Sequence, residues 1–223
     1  MGNIGVAVIG AGGIGTLRAQ SCSQIPQIDH LSVCDIDQTK LDTLSNKVNA
    51  TFATTHYEEA IKDEKIQAVI VSTDEESHYG PAKLAVELGK AVLIEKPFVL
   101  NLDEADDILA ISSKTSANVY VGYTQRFRRR YLLAKEAVDA GNLGDLVMAM
   151  GKIYVTRAVG EAVASRSPNT TPSINTLTYM VDLILWYMEG KKPVEVYAKS
   201  ASRVFKKYDR DDFQWMIVTF DDG

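Results

Sequence analysis

An apolar alternation, Ile4, Val6 and Val8, runs straight into Gly10-Ala11-Gly12-Gly13-Ile14-Gly15. Gly10, Gly12 and Gly15 fit G-x-G-x-x-G, and a helical pattern (Ile14, Leu17, Arg18, Ser21) follows. Asp35 closes the next strand pattern, about 20 residues past the last glycine. Strand, tight turn, helix, strand and acid, in that order, are the parts of a dinucleotide site. Gly10 allows the tight turn. Gly12 has no Cβ, so a pyrophosphate can approach the backbone. Gly15 lets the helix pack closely on the first strand. Ala11, Gly13 and Ile14 complete the turn and the helix start, whose unpaired N–H groups and partial positive charge suit phosphates. A purely structural glycine turn leaves the acid at position 35 unexplained.

The chain has 223 residues, 24 Lys plus Arg against 29 Asp plus Glu, and a net charge of −5. It can bury a large core and has room for two domains. Mild acidity gives no electrostatic reason to expect nucleic acid or an anionic membrane as partner. The cluster Arg126-Phe127-Arg128-Arg129-Arg130 is a local exception. No apolar stretch is long enough to span a bilayer, and the N-terminus shows no basic n-region followed by an apolar h-region. Cys22 and Cys34 read as buried free thiols in a reducing cytoplasm. With His30, His56 and His78 the only histidines and no CxxC, no metal site is expected.

Up to Gly122, short apolar strands alternate with helical patterns. Strands are predicted over Ile4–Ile9, His30–Cys34, Ala68–Val71, Ala91–Ile94 and Val119–Val121. Helices are predicted over Ile14–Ser23, Gln38–Val48 with Asp37 as cap, Tyr57–Asp63, His78–Leu88 and Leu102–Ser113 with Asn101 as cap. Such strands between helices argue for a doubly wound parallel sheet covered on both faces. Beyond residues 122–125 the character changes. A helix over Arg130–Ala140 ends at Gly141, and Leu146–Val155 reads as a half-exposed antiparallel strand. Ala158–Ser173, with Pro168 and Pro172, reads as a loop; Leu177–Met188 reads as an apolar helix, and Val194–Ser200 and Phe213–Phe220 as strands. Asp221-Asp222-Gly223 is a hairpin signal without a return strand.

Ile94-Glu95-Lys96-Pro97 follows directly on a buried strand pattern. In an open parallel sheet, ligands bind at the carboxyl ends of strands, and Pro97 pushes Lys96 into an extended conformation. The charged pair is thus either positioned for function or a surface lysine at the start of a loop. Glu95-Lys96-Pro97 resembles the E-K-P motif of the glucose–fructose oxidoreductase / inositol dehydrogenase (Gfo/Idh/MocA-type) family. Further matches are the glycine run, Asp35, Ser72-Thr73 through His78, Gly122-Tyr123 with Arg126-Phe127, and Gly141-Asn142-Leu143-Gly144. The resemblance implies an α/β chain: an N-terminal Rossmann domain over 1–122, then an α+β substrate and oligomerisation domain over 123–223 with an open, mainly antiparallel sheet. Members continue beyond the point where this chain stops, so the second domain is expected to be incomplete. It further implies a cis Lys96–Pro97 bond and a homo-oligomer, dimer or tetramer, in full-length form, while the free thiols point to the cytoplasm.

The same resemblance implies oxidation or reduction of a sugar, inositol or related polyol with a nicotinamide cofactor. Lys96 would lie beside the nicotinamide and the reacting oxygen, its ammonium stabilising a developing alkoxide. Glu95 would position it and border the ribose; Ser72, Thr73 and His78 would line the cofactor, with His78 either structural or adjacent to it. Arg126 would brace the active site at the cofactor side. Many inositol dehydrogenase-like members carry Asp-x-x-x-His-x-x-Asp; here Asn175, Tyr179 and Asp182 stand in those places. Tyr179 therefore takes the acid/base position, with Asn175 one turn earlier able to hydrogen-bond a substrate hydroxyl. Asp35 favours NAD over NADP. Two unit charges about 4 Å apart at an effective dielectric of about 20 repel by roughly 4 kcal/mol, and half of that exceeds tenfold. Alternatives are a non-catalytic NAD-binding sugar or redox sensor, or an NAD-assisted glycosidase.

Overall fold

The computed structural model describes residues 3–167 and 169–223. By contacts the chain divides into two compact units, Met1–Gly122 and Tyr123–Gly223.

The first unit holds strands β1 (Ile4–Ile9), β2 (Ile28–Cys34), β3 (Phe52–Thr54), β4 (Ile66–Val71), β5 (Ala91–Ile94) and β6 (Val119–Val121). Between them lie α1 (Gly13–Ser23), α2 (Gln38–Val48), α3 (Tyr57–Lys62), α4 (Tyr79–Glu87) and α5 (Leu102–Thr115). The strands form one parallel sheet in the order β3-β2-β1-β4-β5-β6, so the chain reverses direction across the sheet between β1 and β4. That order is the doubly wound Rossmann arrangement. Alternation along β1 divides the core. Val6 and Val8 pack with Ala19, Leu41 and Leu44 of α1 and α2 on one face. Ala7 and Ile9 pack with Ile61, Val86 and Ile108 of α3, α4 and α5 on the other. Both faces are covered, so the strands are short and mainly apolar.

Local chemistry sets the element ends. Asp37 caps α2 by accepting from Thr39 and Lys40 N–H, and Asn101 caps α5 by accepting from Asp103 N–H. Asn49 and Ser116 close those two helices in the left-handed region. Strand β3 is too short to have been foreseen from its pattern; three residues carry no readable alternation. The turn Glu75–Ser77 precedes α4, so His78 lies at the cap and not within the helix. Cys22 and Cys34 are buried free thiols, and burial pushes Cys34 up to about 12.

The second unit holds α6 (Arg129–Asp139), α7 (Arg157–Arg166), α8 (Pro172–Tyr187), and the antiparallel pair β7 (Pro193–Ala201) and β8 (Phe213–Phe220). Two expectations fail here. No strand forms over residues 146–155; a strand pattern needs a neighbour to take its backbone groups, and among the described residues β7 pairs only with β8. The side chains of Val147, Met148 and Tyr154 stand 76–89% exposed instead. Most of the stretch read as a loop is helical. The Thr156 hydroxyl accepts from Val159 N–H, and α7 buries Gly160, Val163 and Ala164. Thr171 caps α8 by accepting from Ile174 N–H, and Pro172 opens that helix. Pro168 lies outside the described residues. Among the described residues no helix is long and apolar enough to cross a membrane.

Two outcomes are expected from this frame. A Cβ at Gly15 would fall 1.8 Å from the Gly10 carbonyl oxygen, so α1 must move away from β1 to admit it. Gly15→Ala lowers the melting temperature by about 5 °C or more in a thermal scan. Asp212, before β8, is pushed up by burial, but N–H donors from Phe205, Val204 and Arg203 outweigh that and hold its carboxyl below the usual range. A depressed folded pKa gives stability that is full above the unfolded value, about 3.9, and fades as pH falls through the folded one. Asp212→Asn therefore lowers the melting temperature by a few degrees at pH 7. It also flattens the acid loss seen below about pH 4.

Candidate functional site

The carboxyl ends of β1, β2, β4 and β5 carry the residues singled out from the sequence. Behind β1, Gly10 has φ +103°, a left-handed backbone that disfavours any side chain. A Cβ there would lie 2.6 Å from the Ser72 carbonyl oxygen, so the turn sits directly on the end of β4. Gly15 is equally closed in. Gly12 and Gly13 are the opposite case: nothing stands within 4 Å of a Cβ on either. Gly12 is the N-cap of α1 and supplies no side-chain cap to the first-turn N–H groups. Two glycines are thus required by packing, and two keep an approach clear.

Asp35 is fastened to this turn. Its Oδ2 accepts from Ala11 N–H at 2.6 Å, and its Oδ1 accepts from Asp37 N–H at 2.8 Å. The acid and the glycine turn are therefore one assembly. Ile36, beside it, is 91% exposed. No sequence motif marks this apolar side chain. Its signal was available: an isoleucine between two aspartates at a strand's end has no core to enter.

At the end of β4, Ser72 is buried, and its Oγ has no hydrogen-bond partner among the described residues. Thr73 Oγ1 donates to the Asp74 carbonyl. His78 is 1% exposed, with Nδ1 2.9 Å from the Pro97 carbonyl and Nε2 3.4 Å from that of Thr73. It joins the loops that follow β4 and β5.

At the end of β5, the Lys96–Pro97 bond is cis. Glu95 is buried, and its Oε1 accepts from Arg18 Nε at 2.8 Å and from Arg18 Nη2. Lys96 is half-buried and engaged with a neighbour. In the sequence Arg18 is one member of a helical pattern. A cation one turn beyond the last glycine, in a chain with an acid before Lys96, is the signal that would have singled it out.

The second unit holds the rest. Arg126 forks onto Asp182, Nε to Oδ2 at 2.9 Å and Nη2 to Oδ1 at 2.6 Å. Its guanidinium also lies 5.3 Å from the Trp186 ring centre. Hydrogen bonding to Asp182 pushes Arg126 further up. Asn175 is buried and Tyr179 half-buried, one turn apart on α8. The Tyr179 ring meets Tyr123 edge-on at 6.4 Å, and the Tyr123 hydroxyl pairs with Thr178 Oγ1 at 2.7 Å. Burial raises the Tyr123 phenol. The structure therefore gathers Gly10–Gly15, Asp35, Ser72, Thr73, His78, Glu95 and Lys96 on one unit, and Arg126, Asn175 and Tyr179 on the other.

Comparison with known proteins identifies the family. Residues 4–123 match the model of the GFO/IDH/MocA oxidoreductase family with an NAD-binding Rossmann fold, and residues 131–223 match the GFO/IDH/MocA C-terminal domain. The chain is 26% identical over 229 residues to an uncharacterized oxidoreductase, YrbE, of Bacillus subtilis, covering 97% of this chain and 63% of that protein. It is 29% identical over 167 residues to a myo-inositol 2-dehydrogenase of Thermotoga maritima, covering 75% and 46%. It thus spans under two thirds of the length of these curated relatives. Its fold superposes on scyllo-inositol dehydrogenase of Lactobacillus casei, solved with NAD(H) and scyllo-inositol, with a TM-score of 0.85. That match has 19% identity and covers 99% of this chain and 67% of that one. Glycine turn, anchored acid and E-K-P strand end together make this chain a member of the GFO/IDH/MocA oxidoreductase family.

Proposed function

We propose that the protein is an NAD-dependent oxidoreductase that moves a hydride between nicotinamide and a CH–OH carbon of a sugar, an inositol or a related polyol. The observation that carries this reading is the open backbone at Gly12 and Gly13, with Asp35 locked to Ala11 beside it. N–H groups at a helix start without a side-chain cap suit the pyrophosphate. The Asp35 oxygens retain lone pairs for adenosine ribose hydroxyls, and their charge opposes a 2′-phosphate. The buried Ser72 hydroxyl, without a partner among the described residues, is a further donor on the same side. These features fit a dinucleotide. When bound, NAD supplies a hydride acceptor at its nicotinamide ring.

The chain's own groups do the rest in this reading. The Lys96 ammonium stabilises negative charge on the reacting oxygen. Glu95 holds a ribose hydroxyl. Tyr179 receives or returns the proton, and Asn175 orients a substrate hydroxyl without acting as a base. Arg126 is committed to Asp182 and acts by bracing α8. The inositol dehydrogenases among its relatives support polyols as the substrate class. We also read the protein as a cytoplasmic homo-oligomer, dimer or tetramer. Buried free thiols and the exposed Tyr197, Trp215 and Ile217 on the β7–β8 pair support that reading.

The test is NAD(P)H formation over a polyol and sugar panel, with cofactor binding measured separately. NAD is expected to exceed NADP in kcat/KM by at least about tenfold, and Asp35→Ala to remove most of that preference. Lys96→Ala is expected to lower kcat by about 10²-fold or more. Tyr179→Phe should also lower kcat by about 10²-fold while leaving NADH affinity within about twofold of the parent. NADH binding without turnover on any member of the panel would favour the sensor.

A further inference from the structure

Glu95 is 9% exposed, and three elements fix it. Its backbone N–H donates to the Val71 carbonyl at 2.9 Å, which ties the end of β5 to the end of β4. Arg18, on α1, brings both Nε and Nη2 to Oε1. On the other side, a Cβ at Gly122, just past β6, would come within 2.8 Å of Oε2. One carboxylate oxygen is therefore held by a guanidinium, while the other lies where a side chain at position 122 would have to displace it. Charge-assisted contacts of this kind are directional as well as strong. A buried carboxylate stripped of its cation is costly, and it relieves that cost by turning toward water. Arg18 itself grows from the helix whose start faces the proposed pyrophosphate. The contact thus couples the phosphate end of the cradle to the strand end that carries Lys96.

We propose that Arg18 is a positioning residue for cofactor binding: it orients Glu95 so that the carboxylate accepts a ribose hydroxyl on the nicotinamide side of NAD. This rests on the reading of Glu95 as a ribose contact. Gly122 is its counterpart, since its missing side chain makes the space in which the carboxylate stands. A purely structural ion pair would alter thermal stability and leave NADH affinity alone.

A double-mutant cycle on NADH dissociation constants, read by fluorescence titration with melting temperatures alongside, separates these possibilities. Arg18→Met and Glu95→Gln are each expected to weaken NADH about fivefold or more. The double variant should bind within about twofold of Glu95→Gln alone, because Arg18 has nothing left to orient. Arg18→Lys should recover part of the loss, since an ammonium keeps the charge and loses the fork. Gly122→Ala keeps Arg18 and displaces Glu95, so it should reproduce the loss. Parent-like affinity in Arg18→Met, or losses that multiply independently in the double variant, overturns the proposal. Should Arg18→Met fail to fold, parent-like affinity in Gly122→Ala overturns it equally. If the parent binds NADH and Glu95→Gln binds it as well, the ribose contact is wrong and the proposal falls with it. A parent that binds no NADH at all would instead sink the dehydrogenase reading.

Discussion

Everything at the ligand edge of the first unit depends on one backbone contact, the approach of Gly15 to the carbonyl of Gly10. A methyl group at position 15 would overlap that oxygen. Because it is absent, α1 begins tight against β1, and the turn between them is pressed onto the end of β4. That pressure is what requires the left-handed Gly10. The turn then presents Ala11 N–H to Asp35, which fixes the acid of the neighbouring strand. Helix start, acid and β4 end are set by sterics before any ligand arrives, which is preorganisation in a literal sense.

The first unit was legible because its signals are local and agree with one another. Asp37 and Asn101 cap the helices that their positions announce, and the short apolar runs become buried parallel strands. The second unit was less so. Residues 146–155 carry a strand-like alternation, but a strand is a property of a pair, and alternation says nothing about whether a partner is present. Helix α7 failed for the converse reason. Ser165, Arg166 and Ser167 beside the prolines look like loop composition, while the Thr156 cap and the small face of Gly160, Val163 and Ala164 become informative only against a neighbouring helix. Site residues split in the same way. Glycines and acids at fixed spacing could be read directly, whereas Arg18 and Ile36 gain meaning only from what they touch or fail to touch.

In the second unit, one face of α8 carries Asn175, Tyr179, Asp182 and Trp186 at helical spacing. Its later half is clamped by cations. Arg126 holds Asp182 and lies over Trp186, and Lys135 approaches the same ring at 5.9 Å while pairing with Asp139 and Glu189. Exposed ion pairs contribute little by themselves, but a planar fork on a buried carboxylate fixes rotation about the helix axis. Tyr179 lies on the same helix, one turn before the residue that this clamp holds.

His78 has a consequence of another kind. A single imidazole, sealed from solvent, bolts the crossover after one strand to the crossover after the next. Thr73 and Pro97 are therefore both reached by one buried ring. The closer contact is to the Pro97 carbonyl at 2.9 Å, and the ring's other nitrogen lies 3.4 Å from that of Thr73. The lysine preceding Pro97 thus stands next to a backbone carbonyl that a buried ring holds in place.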